Sequence, residues 1–488
     1  MFKWDFHPET NGIILTAERE AKRLQEIAPV YATELHLFGV GEALGVPAES
    51  GVPLAWSYRG SYYYRGRKFA RRREADVEIL DNPLRGETWQ PCDLAGIADV
   101  NRAQLDFLEG TAAAALDAVA GEQGFVVAYS GGKDSEALLL LALRNAPQSV
   151  RKVFFADTTL EFSETLRHVE TTAARLARYG IALEKARPYI DALTGWRLFG
   201  VPSRNCRWCC QTCKSGALAR IRTDGLPVVM GARGSESKYR AGYSLQTDRR
   251  RQLTSAPTFR PLFDWNGAEI WAYLLAHGAP INPVYRYGHH RACCAVCPFS
   301  SPFEVEISKR MAANRIAPFR EEYERQFPDL AGSFDHRYHG DRGTWSRRNA
   351  QMLRGDFPEK VPLDEGVVRY IMPAGTTPNE SWQELARGMF DTRFYRRVPG
   401  EYIAQNFTRP HTSENRLAQS ITNRAFFCVG CGYCANYCPV GCLHVEGGSV
   451  QIEATSCTYC GECARVECLR ASALRGYHRG DGGKKSAK

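Results

Sequence analysis

The stretch Gly124–Ala142, GFVVAYSGGKDSEALLLLA, decides the fold of this chain. Its apolar run from Phe125 to Ala128 predicts a buried strand, Ser130, Gly131 and Gly132 a tight loop, and the apolar-rich sequence opening at Asp134 and Ser135 a helix. At such a junction successive backbone N–H groups form a nest that cradles a phosphate chain, and the helix dipole adds to the pull. Gly131 and Gly132 permit close backbone approach and positive φ. Lys133 adds a positive charge, and Asp134 is a candidate ligand for a magnesium ion carried by the nucleotide. The spacing differs from G-x-x-x-x-G-K-[ST], so this is not a Walker A loop.

The surrounding chain supports an ordinary globular composition. Its 488 residues allow about three domains. A net charge of +9, from 63 basic and 54 acidic residues, suits an anionic partner without deciding which. No apolar stretch reaches the roughly 18 residues a membrane span needs, and MFKWDFHPET lacks the basic-then-apolar pattern of a signal peptide. These features predict a cytoplasmic protein with no membrane partner.

Strand-like runs recur downstream and end in polar residues. Val153 to Ala156 is followed by Asp157, Thr158 and Glu161. Pro227 to Met230 is followed by Gly231, Arg233 and Glu236, with Lys238 and Arg240 beyond. Ligands of open parallel sheets bind outside the carboxyl ends of the strands, and Arg there suits bidentate oxyanion recognition. The βα alternation over 124–300 predicts an α/β fold with a doubly wound parallel sheet. Upstream, Trp56–Val77 (WSYRGSYYYRGRKFARRREADV) reads as a basic hairpin in a β-rich accessory region. Tyr58, Tyr62, Tyr63 and Tyr64 alternate with Arg59, Arg65, Arg67, Lys68, Arg71, Arg72 and Arg73, a pattern suited either to nucleic-acid contact or to a solvated, aggregation-resistant strand edge.

The 17 cysteines are clustered: Cys92 alone, seven at 206–213 and 293–297, and nine at 428–468. Such grouping favours metal or cluster binding over disulfides. Cys206, Cys209, Cys210 and Cys213, with Cys293, Cys294 and Cys297, could supply either a tetrahedral zinc or a [4Fe–4S] site. Cys428-x2-Cys431-x2-Cys434-x3-Cys438-Pro439 is the bacterial ferredoxin run, and Cys457-x2-Cys460-x2-Cys463-x4-Cys468 follows it. Because the fourth cysteine of each run ligates the other cluster, one [4Fe–4S] centre takes Cys428, Cys431, Cys434 and Cys468, and the other Cys457, Cys460, Cys463 and Cys438. The second run has Leu469 where Pro is usual, and Cys442 is spare.

SGGKDS after a strand resembles the PP-loop of the ATP pyrophosphatase superfamily, whose members cleave ATP between the α and β phosphates. With ADTTLEFSET, RWCC and Lys214, GARGSES, PLFDW and CC-x-x-CP following in order over roughly 110–310, the chain resembles the phosphoadenylyl-sulfate (PAPS) reductase family. The resemblance implies an adenine nucleotide alpha hydrolase-like fold and a nucleotide site at Ser130, Gly131, Gly132, Lys133, Asp134, Ser135, Asp157, Thr158, Gly231 and Glu236. It implies catalytic roles for Lys133, Asp134 and Arg233. In the cluster-bearing branch a CC pair and a later CxxC hold one [4Fe–4S] centre, which implies Cys209, Cys210, Cys294 and Cys297 here; Cys206, Cys213 and Cys293 exceed that pattern.

One departure matters. Assimilatory reductases of this family attack the sulfonucleotide with a cysteine in an ECGLH-like tail, and no such string follows Cys297; the GEC at 461–463 lies inside the ferredoxin run. Relatives without that tail include the sulfur-transfer proteins of DNA phosphorothioation.

The expected organisation is an accessory domain (1–105), a PP-loop domain (106–310), a connecting helical subdomain (311–415), a small α+β ferredoxin-like domain (416–476) and a disordered tail (477–488). The favoured expectation is ATP-dependent, adenylating sulfur transfer, with magnesium, a cysteine desulfurase or other sulfur donor and an external electron donor. The alternative is reduction of adenylyl sulfate or PAPS to sulfite with electrons from the ferredoxin module. A third reading is a redox-sensing nucleic-acid binder using the basic hairpin. His289 and His290 are weighed as proton donors against a structural role.

Overall fold

The computed structural model describes residues 1–19, 26–84, 86–203, 207–237, 240–247, 257–292, 294–328, 358–466 and 468–470. The chain forms two compact units, Met1–Ala186 with Ile221–Pro318, and Arg187–Arg220 with Phe319–Lys488. Among the described residues, no helix is long and apolar enough to cross a membrane.

The first unit is built on a six-stranded sheet. Its spatial order is Leu183–Ala186, Val150–Ala156, Phe125–Tyr129, Val228–Met230, Thr258–Phe259 and Gln246–Thr247. Every neighbouring pair is parallel except the last, which is antiparallel. Phe125, Val126 and Val127 are fully buried, as a parallel strand covered on both faces requires. The parallel strands step outward from Phe125–Tyr129 in both directions, and the antiparallel Gln246–Thr247 lies at one edge. The sheet is therefore doubly wound, with its switch point between Phe125–Tyr129 and Val228–Met230. Helices Arg102–Ala120, Lys133–Asn145 and Gly267–Ala276 pack on one another beside it.

The same unit carries an antiparallel pair, Phe2–His7 with Gly12–Arg19, and a five-stranded antiparallel meander over residues 27–79. The expected hairpin at 56–77 is instead two successive hairpins. Strands Ala55–Tyr58, Ser61–Tyr64 and Arg67–Arg72 are joined by Arg59-Gly60 and Arg65-Gly66. All four turn residues have positive φ (50°, 72°, 45° and 76°), the pattern of two-residue type I′ turns. Tyr62 and Tyr64 point into the core and Arg72 is held inside by Glu34, so these three cannot offer stacking or phosphate contacts to a nucleic acid. Arg71 and Arg73 pair with Glu78. The alternation that suggested nucleic-acid contact is here that of a strand with one buried face.

The second unit holds a four-stranded antiparallel sheet, in order Glu359–Asp364, Val367–Ile371, Glu401–Gln405, Arg393–Val398, with helices Glu380–Phe390 and Ser413–Phe427. The span 311–415, expected to be a helical connector, therefore contains a sheet. Its outer strands are exposed along nearly their whole length and rich in charge (Glu359, Lys360, Arg393, Arg396, Arg397), which leaves little period-two apolar signal. Trp382, Ile421 and Phe426 from these elements share one core with Cys434, Cys438, Cys463 and Val450. The cysteine-rich C-terminus packs on the sheet and helices of this core.

Candidate functional site: a phosphate loop and two thiol-lined pockets

The loop leaving Phe125–Tyr129 is fixed by short polar contacts. The Ser135 hydroxyl donates to the Gly132 carbonyl at 2.8 Å and accepts the Ser130 N–H at 3.1 Å. Gly131 adopts φ +71°, and its carbonyl accepts the Asn282 side-chain amide at 2.9 Å. The Lys133 N–H donates to the Tyr285 hydroxyl at 2.9 Å. From the adjacent strand, Gly231 comes so close that a β-carbon there would lie 2.4 Å from the Asp134 carbonyl oxygen. The loop thus opens at the switch point with the positive end of helix Lys133–Asn145 behind it.

Four charges meet beside the loop. Lys133 Nζ lies 2.9 Å from Asp134 Oδ2 and 3.4 Å from Glu26 Oε2. The Arg233 guanidinium donates to Asp134 Oδ1 at 2.5 Å, to both Glu26 oxygens at 3.0 and 3.1 Å, and to Ser235 Oγ at 2.7 Å. Burial pushes the Asp134 carboxyl up, but Arg233 and Lys133 outweigh it and hold it at about 2. Glu26 is lowered by the same two cations against the opposing cost of burial. Asp134 was expected to reach magnesium. Both its oxygens are instead committed to Lys133 and Arg233, so Asp134 does not fit a magnesium ligand in this arrangement. Arg233 is fully buried; its guanidinium positions Asp134 and Glu26.

The other expected residues lie close by. Asp157 accepts the Thr159 N–H at 2.9 Å, and the Thr158 hydroxyl donates to Glu161 at 2.6 Å. Glu161 forms a backbone bridge with Cys294, joining the strand-end loop to the second cysteine group. Glu236 accepts the Arg233 N–H at 2.9 Å and pairs with Arg240. Lys238 lies outside the described residues. His289 is buried with neither ring nitrogen hydrogen-bonded, and burial lowers its pKa to about 4. His290 meets Arg72, whose guanidinium also holds Glu34 at 2.7 Å and Tyr62 at 2.9 Å, so the N-terminal sheet braces the segment after Tyr285. Glu26, Asn282 and Tyr285 belong to stretches with no motif of their own, and Arg72, read from the sequence as a hairpin cation facing an anionic partner, instead braces this segment.

The implied set Cys209, Cys210, Cys294 and Cys297 is divided between the units, two thiols in each, while Cys206 and Cys293 lie outside the described residues. Cys209 and Cys213 are buried and Cys210 is exposed. Their segment runs into Gly216–Ala219, where a β-carbon on Gly216 would lie 2.9 Å from Asn436 Nδ2. Tyr189 packs in the same way against Gly432. Asn436 lies between Cys434 and Cys438, so the helix that follows this cysteine segment touches the C-terminal module within one unit.

Two pockets in that module sort its cysteines. Cys428, Cys431, Cys434 and Cys468 line one, with Trp382, Val450 and Leu469. Cys438, Cys457, Cys460 and Cys463 line the other, with Leu385, Leu443 and the spare Cys442, whose sulfur lies 3.3 Å from that of Cys438. Each pocket draws three thiols from one run and the fourth from the other. Among the described residues, no group of three or more His, Cys, Asp or Glu is placed to hold a metal ion. Four thiols around an apolar-walled hollow fit a polynuclear cluster, which spreads its ligands around a core of several metal atoms.

This fold and loop define a PP-loop nucleotide-binding α/β domain. Residues 124–300 match the phosphoadenosine phosphosulfate reductase domain, and that stretch is such a domain. An uncharacterized protein of Methanocaldococcus jannaschii is 33% identical over 192 residues, covering 38% of this chain and 38% of that protein, so the chain spans about two fifths of that relative's length. The adenosine 5′-phosphosulfate reductase of Burkholderia cepacia is 28% identical over 189 residues, covering 38% of this chain and 74% of the enzyme. The crystal structure of phosphoadenylyl-sulfate reductase from Candida auris aligns with a TM-score of 0.29 at 18% identity, over 39% of this chain and 93% of that one.

Proposed function

We propose that this chain is a PP-loop iron–sulfur enzyme that reduces an adenylyl-linked sulfate to sulfite, drawing electrons from its own C-terminal module. The observation that carries this reading is the contact between Gly216, at the start of the helix that directly follows the Cys209–Cys213 segment, and Asn436 in the Cys434–Cys438 turn. An electron-carrying module packed against the helix after the reductase domain's cysteine segment has an evident use in reduction. The similarity to adenosine 5′-phosphosulfate reductases supports the same substrate class.

In the reaction the sulfur–oxygen bond breaks, AMP keeps the bridging oxygen with the bond pair, and two electrons convert the released SO3 unit to sulfite. The loop from Ser130 to Ser135 and the helix dipole hold the nucleotide phosphate. Lys133 balances the charge gathering on the departing phosphate oxygen. Arg233, through Asp134 and Glu26, keeps Lys133 in place. Cys428, Cys431, Cys434 and Cys468 would hold one [4Fe–4S] centre, and Cys438, Cys457, Cys460 and Cys463 a second. When bound, such centres pass electrons singly, so a pair matches a two-electron demand.

A second reading is ATP-dependent, adenylating sulfur transfer, favoured by the absence of an ECGLH-like string after Cys297. Anaerobically purified protein, supplied with methyl viologen reduced by titanium(III) citrate as electron source and offered ATP and adenylyl sulfate separately, distinguishes the two. Sulfite and AMP from adenylyl sulfate support reduction. Pyrophosphate from ATP with no sulfite from adenylyl sulfate overturns it and points to an acceptor awaiting sulfur.

A further inference from the structure

The C-terminal module has a further recess that the reaction above does not use. It is an open groove of about 890 Å³ within the second unit. Helix Ser413–Phe427 forms one wall, and Tyr459, Cys460, Ala464, Arg465, Val466 and Cys468 line the other. One thiol from each four-cysteine set reaches it: Cys468 from the pocket with Cys428, and the exposed Cys460 from the pocket with Cys457. A redox centre in either pocket therefore has a ligand opening on the same groove.

Its lining is basic. Among the described residues of the lining, Arg416, Arg424 and Arg465 face one acid, Glu414. Arg424 is structural, its guanidinium bound to Ser420 and the Val466 carbonyl. Arg416 is exposed, and Arg465 reaches Glu462 at 3.2 Å with its side chain still 65% exposed. Tyr459 stands at the lip, 46% exposed, with its ring against Gly388, where a β-carbon would lie 3.0 Å from the ring. An aromatic ring braced in this way keeps its contact surface at little entropic cost.

We propose that this groove is the entry point for an external electron donor, a small one-electron carrier protein with carboxylates around its redox centre. Electron-transfer encounters bury little surface and depend on charge steering, which a basic groove supplies to an acidic partner. Electrons would enter beside Cys460 and Cys468 and leave where Asn436 meets Gly216. The proposal rests on the iron–sulfur reading of the module.

The test uses the full-length, anaerobically purified protein. Iron and acid-labile sulfide are measured first. The visible absorbance of the centres is then followed as they are reduced either by an acidic plant-type [2Fe–2S] ferredoxin or by dithionite. Arg416→Glu combined with Arg465→Glu is expected to slow reduction by the ferredoxin about tenfold at low salt, with the wild-type rate falling as salt rises. Iron content and the dithionite rate should stay at wild-type values. Iron-replete variant protein reduced by the ferredoxin at the wild-type rate overturns the docking site alone. An iron-free wild type overturns the cluster reading and the docking proposal with it.

Discussion

Glu26 and Arg233, 207 positions apart, meet through two hydrogen bonds from one guanidinium nitrogen to both carboxylate oxygens, at 3.0 and 3.1 Å. The same carboxylate reaches Lys133, and Gly267 leaves room for it: a β-carbon there would lie 2.4 Å from Glu26 Oε2. Glu26 and Asp134 together balance the two cations. The N-terminal region thus supplies one of the four charges beside the phosphate loop.

Glu26→Gln should therefore weaken both fold and site. It removes one partner of a buried pair while leaving Arg233 in place, which costs about 1–3 kcal/mol once the 25% exposure of the Glu26 side chain is allowed for. Thermal unfolding of the variant reports the loss, and nucleotide titration should show weaker binding as Lys133 shifts. A variant as stable as the wild type would show that the pairing contributes nothing.

Gly231→Ala probes the approach of the strand end to the loop helix. The added methyl would lie 2.4 Å from a backbone oxygen of Asp134, which has no flexible end to move aside. The helix must then retreat from the strand and the loop with it. Nucleotide affinity is expected to fall by about tenfold or more, the scale of a misplaced binding loop. Calorimetric titration giving an unchanged affinity would mean that the crevice does not depend on this contact.

What the sequence made legible follows from how each feature is encoded. Phe125 to Ala128 could be read because a strand buried on both faces needs a continuous apolar run. The two C-terminal cysteine runs were legible because their repeated spacing lies within a few positions of the chain, and their thiols gather around two hollows. The roles of Glu26 and Asn282 beside the loop could not be read, since Glu26 meets Arg233 and Asn282 meets Gly131 more than 100 positions away and local pattern carries no trace of such pairs. The sheet over 359–405 was hidden because its outer strands face solvent with Arg, Lys and Glu.

His289 sets a pH dependence. Its buried imidazole is held neutral, with the pKa lowered from 6.5 to about 4. Between those values the unfolded chain binds a proton that the folded chain does not, so stability falls as pH drops from about 6.5 towards 4. The full effect is on the order of 3 kcal/mol, from about 1.4 kcal/mol per pKa unit. His289→Gln should lessen this slope, the remainder coming from His290, whose pKa burial also lowers. Equal slopes for the two proteins in denaturant titrations across the window would exclude His289 as the cause.

The assignment of cysteines to two interleaved sets can be separated from a sequential one by iron content. If Cys468 belongs with Cys428, Cys431 and Cys434, adding Cys468→Ser to a Cys428→Ser, Cys431→Ser variant should remove no further iron, since all three substitutions strike the same centre. Adding Cys438→Ser to that variant should remove most of what remains, because Cys438 lines the other pocket with Cys457, Cys460 and Cys463. A sequential arrangement predicts the reverse, with Cys468→Ser the damaging addition and Cys438→Ser the silent one. The neighbouring Cys442 adds a check, as its sulfur lies 3.3 Å from that of Cys438 and can stand in as a ligand. The Cys438→Ser loss should therefore be confirmed with Cys442→Ser also present. Iron and sulfide analysis, with the low-temperature electron paramagnetic resonance of the reduced protein, reads which centre survives in each case.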